Sequence, residues 1–147
     1  MAKFLTEILD EVNDDVKKLV NYKDDTALRY VLAYAFDEDK KMDLPDGEPP
    51  YKEDGAPDFG MSPANLRMET KKFYVYNRKD LKPLRKEQLF IGLLEAVHPK
   101  EAKLLIAIKD QKLHKMYPKI TRTVLEGLGF IKPKAKLEDQ KDAKITD

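Results

Sequence analysis

LRKEQLFIGLLEAVHPKEAKLLIAIK, Leu84 to Lys109, decides the fold. Leu89, Phe90, Leu93, Leu94 and Val97 recur at three- and four-residue spacing, which places them on one side of a helix. His98-Pro99 interrupts the period. Proline breaks a helix from within but starts one well, so the pattern begins again at Pro99. Ala102, Leu105, Ile106 and Ile108 carry the second period, which reads on to about Lys115. Two helices joined by almost nothing must form a corner or a hairpin, and the core must be helix packed on helix.

Both flanks read the same way. Phe4, Leu5, Ile8, Leu9, Val12, Val16, Leu19 and Val20 predict one amphipathic helix over residues 3–20. Asp24 and Asp25 can cap a second, over 25–37, with Leu28, Val31, Leu32, Ala35 and Phe36 on its apolar face. Ser62-Pro63 is a start signal for a third, over 63–76, although KFYVYN at its end also has strand propensity. Thr121 can cap a last helix over 122–128, closed by Gly127 and Gly129. The sequence therefore predicts a mostly α fold, a compact bundle of about five or six helices.

Between Met42 and Met61 there is no period at all. Pro45, Pro49, Pro50 and Pro57, with Gly47, Gly55 and Gly60, hold this stretch in turn and extended geometry. It reads as a long Pro/Gly-rich extended strap at 42–61 within a single domain, 1–131. If the strap is a true linker, it joins sub-lobes 1–41 and 62–131. Residues 132–147 are lysine, acid and little else, and read as a flexible charged tail.

Composition narrows the chemistry. The 147 residues can bury a core without staples, and 37% of them are charged. There is no cysteine, which excludes disulfides, thiolate metal sites and cysteine nucleophiles. No apolar run reaches the eighteen or so residues a membrane span needs, so no membrane partner is expected and the chain reads as soluble and cytoplasmic. Residues 1–60 carry 8 basic and 16 acidic side chains, and residues 61–147 carry 20 and 11, which makes a strong charge dipole.

No HExxH, GxSxG or glycine-rich phosphate loop appears, so no catalytic, cofactor or metal residues are assigned and the chain reads as non-enzymatic. Asp37, Glu38, Asp39 and Asp43 lack the spacing of a calcium loop and read as a solvated acidic surface. Glu87, Glu95, His98 and Pro99 read as structural. Glu95 is placed near the core, in an ion pair with Arg85, Lys100 or Lys103, and His98 is a cap ahead of the helix-starting Pro99. Two basic groups are candidates for phosphate contact: Lys71, Lys72 and Arg78 in one, Lys109, Lys112, Lys115, Lys119 and Arg122 in the other. The spacing of the second group places its lysines on one helix side. In the strap, Pro49, Pro50, Tyr51 and Lys52 are candidates for contact with a protein partner, although packing onto the helices accounts for them as well.

The order LP.G.PPYK, then RKEQLFIGLLEAVHPKEAKLLIAIKDQKLHKMYPKIT, resembles an uncharacterised family of small proteins from T4-like tailed phages, including those of cyanobacteria. The likeness runs from Phe4 to Phe130 and is most specific over Leu44–Lys52 and Glu87–Lys112. The family's leucine-glutamate-x-x-histidine-proline segment corresponds to Leu94, Glu95, His98 and Pro99, and its next alanine and leucines to Ala102, Leu104 and Leu105. The close of the chain departs from it: the family ends on a small-aromatic-proline turn, whereas here Leu128-Gly129-Phe130 is succeeded later by Pro133 and a charged tail. The resemblance implies a phage origin and the cytoplasm of an infected bacterial host. With the charge separation, it leads to the expectation of a protein that binds a host or phage protein. The alternative is a nucleic-acid-binding accessory protein of phage replication or transcription.

Overall fold

The computed structural model describes residues 4–52, 62 and 64–132. Among them the regular structure is entirely helical: α1 (Leu5–Asp14), α2 (Thr26–Phe36), α3 (Leu66–Glu69), α4 (Pro83–Ala96), α5 (Pro99–Lys109), α6 (Leu113–Met116) and α7 (Arg122–Gly127), with 3-10 segments at Val16–Tyr22, Glu38–Lys40 and Thr70–Asn77. Residues 53–61 of the strap, Pro63 and the tail from 133 onward lie outside the described residues.

α5 is the centre. It packs on α2, α4, α6 and α1. Ala102, Leu104, Leu105 and Ile108 are buried around its circumference. Lys100 and Lys103 leave one flank of the helix exposed, and each fully buried leucine or isoleucine contributes about 1.5–3 kcal/mol. α2 lies against it and also carries the segment 66–77, with Tyr34 edge-on to Phe73 at 5.4 Å. Residues from α1 and α2 therefore share one core with those from α3 to α7, running from Leu5 to Ile131. Tyr76 stands edge-on to Phe90 of α4 at 5.6 Å, and burial pushes its phenol up to about 12. Tyr117, buried after α6, is also pushed up to about 12 by burial.

Three boundaries differ from the sequence reading, each for a local reason. The helix expected over 3–20 breaks at Asp15, whose extended backbone (φ −145°, ψ 99°) lets its carboxylate accept the Lys17 N–H at 3.1 Å and start a 3-10 segment. The helix expected from 63 begins at Leu66, where the Asn65 side chain accepts the Arg67 N–H at 2.9 Å. The helix expected to reach Lys115 stops at Lys109, because Gln111 takes a left-handed backbone with φ 55°. That conformation costs a non-glycine residue about 1–2 kcal/mol. Its side chain offsets the cost by donating to the Tyr34 and Asp37 carbonyls at 3.1 and 2.8 Å, which ties the turn to the end of α2.

Candidate functional site

The loop Leu44–Lys52 is clasped across the α4–α5 pair. Pro45, Asp46 and Gly47 form its first bend, and Gly47 has φ 94°, a backbone that favours glycine. Lys109 meets this bend from the last turn of α5. Its Nζ donates to the Pro45 carbonyl at 2.7 Å, to the Gly47 carbonyl at 3.0 Å and to the Asp110 carboxylate. The ammonium's three donors are then all used, and the side chain is 1% exposed. The Asp110 oxygens each accept the Gly47 N–H at 3.2 Å, and the Phe90 ring lies 6.0 Å from Nζ. At its far end the loop is held by the Lys52 N–H, donated to Glu95 at 2.9 Å. Before the loop, Lys86 is buried and pairs with Asp43 at 2.9 Å, and the Asp43 N–H donates to the Asn77 side chain at 3.1 Å. A pocket of about 230 Å³ lies beneath the loop, lined by Leu44, Pro45, Gly47, Pro49, Pro50, Glu87, Phe90 and Lys109 among others. Pro50 and Lys52 are exposed; Pro49 and Tyr51 are half-buried, with Tyr51 against the core.

The other end of α5 has a different arrangement. His98 caps the helix, its Nδ1 accepting the Lys100 N–H at 3.1 Å, and Pro99 is the first helical residue. Glu101, three residues after the cap, reaches back to the His98 amide and accepts the Leu66 N–H at 3.2 Å. This is a capping box with histidine in the usual place of serine or threonine. The Glu101 carboxylate is buried, and its Oε2 has no hydrogen-bond partner; Ser62 Oγ is in the same position. Burial pushes the Glu101 carboxyl above its ordinary value, against the pull of the two amides and of His98.

Two expectations need correction. Glu95 is exposed, not near the core, and makes no ion pair among the described residues; it holds the loop by a backbone N–H instead. The lysine stripe is not one helix face, because Gln111 turns the chain between Lys109 and Lys112. Lys109 is buried, and Arg122 is half-buried with its guanidinium on the Phe36 carbonyl and on Glu126 at 2.7 Å. Lys112, Lys115 and Lys119 remain exposed. So do Lys71, Lys72 and Arg78, of which Lys72 pairs with Glu69 at 3.4 Å and Arg78 with Asp80 at 2.6 Å. Glu87 faces the pocket under the loop, Glu95 stands two turns further along α4, and His98 turns to α5. Among the described residues, no three His, Asp or Glu side chains gather where they could hold a metal ion. No described helix is long and apolar enough to cross a membrane.

The sequence reading missed the Lys109–Asp110 clasp, the Lys86–Asp43 pair, Glu101, and the pair Arg67–Asp25 at 2.7 Å that ties α3 to the cap of α2. Only Glu101 had a local signal, the three-residue spacing of the capping box.

These features define a small all-helical domain that fixes a proline-rich loop on a central helix pair. The chain belongs to a family of unknown function, DUF6433, whose model matches residues 8–115, a span that includes the loop, α4 and α5. No curated protein matches the chain, and no solved structure does.

Proposed function

We propose that this chain is a non-enzymatic phage protein that works in the cytoplasm of the infected bacterial host by binding a protein partner of host or phage. The supporting observation is the loop 44–52. It is anchored at one end by Lys109 and Asp110 and at the other by Glu95, and between the anchors it presents Pro50 and Lys52 to solvent. A loop held in one conformation loses little entropy on binding. In this reading the described part of the Pro/Gly-rich stretch, 42–52, is a strap laid over the helices, and Pro49, Pro50, Tyr51 and Lys52 form the contact row. The polar groups best placed for chemistry, Lys109, Asp110, His98 and Glu101, have structural partners, which is consistent with a binding role.

The test is capture from infected-cell lysate with the full chain and with a Pro49→Ala/Pro50→Ala/Lys52→Glu variant, each repeated after nuclease treatment. A stoichiometric protein that survives nuclease and is lost with the variant supports the reading. Capture that ignores the variant overturns it.

A second reading, a nucleic-acid-binding accessory protein, draws on the exposed Lys71, Lys72, Arg78, Lys112, Lys115 and Lys119. Affinity for random DNA or RNA that falls steeply with salt would favour it.

A further inference from the structure

Residues 71–86 carry seven basic side chains and one acid, Asp80. All the basic ones but Lys86 are exposed. Lys72 pairs with Glu69 and Arg78 with Asp80, while Lys71, Lys79, Lys82 and Arg85 have no ion pair among the described residues.

The fold gathers these charges around a groove. The 3-10 segment Thr70–Asn77 runs up to a turn at 78–82, and α4 returns beside it, with Tyr76 edge-on to Phe90. A 3-10 helix has three residues per turn, so each of its sides repeats every third residue. Thr70, Phe73 and Tyr76 form the buried side. Lys72 and Val75 form a second, which walls a groove of about 400 Å³ against Leu89, Gly92, Leu93 and Ala96 of α4. Arg78 is next in the Lys72 row. At 100° per residue Arg85 falls on the same stripe of α4 as Leu89, Gly92 and Ala96, at the end nearest the turn. The groove thus has apolar walls and cations at one end. Gly92 leaves it free of a side chain midway, where an added Cβ would meet nothing within 4 Å.

Tyr74 belongs to the third side and is 58% exposed. Asp80 first, and Tyr74 as well, raise the Arg78 guanidinium above its ordinary value, so the phenol is within electrostatic reach of it. The helix itself gains nothing from these cations. Lys82 and Arg85 flank the N-terminal end of α4, where the dipole favours anions and no acidic residue stands.

We propose that the hairpin 71–85 binds single-stranded nucleic acid, its phosphates following Lys72, Arg78, Lys82 and Arg85 while one base enters the apolar groove at Gly92 and another stacks on Tyr74. The charge selects an anionic polymer. The groove and the ring select one whose bases are free, because a duplex keeps its bases stacked and has none to place in either. The two existing ion pairs are exposed, hence weak and open to exchange for phosphate. This inference rests on the second reading of function and narrows it, to one of the two basic groups and to single strands. The loop 44–52 plays no part in it.

Fluorescence anisotropy of a labelled single strand of about twenty nucleotides tests it, with the full chain at several salt concentrations and helicity checked by circular dichroism. Binding is expected, falling steeply as salt rises, and the duplex of the same sequence should bind about 10-fold more weakly. Lys82→Glu combined with Arg85→Glu should weaken binding by about 10-fold or more. Tyr74→Ala should weaken it by about 5-fold or more, and Tyr74→Phe, which restores the ring, should restore it. Gly92→Leu fills the groove and should weaken binding with the helical signal intact. No binding to any strand overturns this inference and the second reading together. Binding that is lost only with Lys112→Glu/Lys115→Glu/Lys119→Glu overturns the hairpin and leaves the second reading standing. Equal affinity for the duplex, equally tight binding of polyglutamate, or indifference to Tyr74→Ala and Gly92→Leu overturns the assignment to single strands.

Discussion

At its C-terminal end α5 buries Lys109, and at its N-terminal end it buries Glu101. The lysine has an acceptor for each of its three donors, a carboxylate neighbour and an aromatic face. The glutamate has two backbone amides, a histidine nearby and one oxygen with nothing to accept from. A buried charge is tolerable when it is paired and its hydrogen bonds are complete; otherwise the group moves toward its neutral form. The first end therefore completes the hydrogen bonds of its ammonium, and at the second burial shifts the carboxyl upward.

The contrast can be broken at either end, and the effects should differ in size. Lys109→Met should be the most damaging, about 3–5 kcal/mol by urea unfolding, because it strands Asp110 and the Pro45 and Gly47 carbonyls. A loss below 1 kcal/mol would mean that the clasp is dispensable. His98→Ala removes the cap acceptor for the Lys100 N–H and should cost about 1 kcal/mol in the same assay. Glu95→Ala frees only the far anchor of the loop. It should cost about 0.5–1 kcal/mol and speed limited proteolysis within residues 44–61 while leaving the helical signal intact.

Glu101→Gln should sharpen the comparison through pH. The folded carboxyl lies above its ordinary 4.5, so between the unfolded and folded values the native state holds the proton more tightly. Stability then falls as pH rises through that window and stays lower above it. The glutamine variant lacks this slope. Its advantage over wild type should grow from acid toward neutral pH, and equal pH profiles for the two chains would refute the assignment.

Legibility divides along the same line. The helix pair was readable because Leu89, Leu93, Val97 and Pro99 encode it locally, and so was the cap at His98. The clasp was not, because Lys109 and Gly47 are 62 residues apart and a lysine in a basic stretch looks like surface. The end of α5 was hidden for another reason. The left-handed position that stops the helix is usually glycine, but here it is Gln111, held by carbonyls of α2 that no local pattern reveals. Glu95 misled because its neighbours Leu93 and Leu94 are buried while its own position on the helix faces out.

The chain has no tryptophan, so its near-ultraviolet spectrum belongs to its seven tyrosines. Two of them, Tyr76 and Tyr117, ionise only near 12 while folded. In an alkaline titration monitored at the phenolate band, the signal of these two should come late. Their phenolates are excluded from the core, so stability is lost as the pH climbs from the unfolded toward the folded value. The late rise in absorbance should then coincide with loss of helix. The buried hydroxyls give the protein a built-in optical record of its own alkaline unfolding, with no added dye.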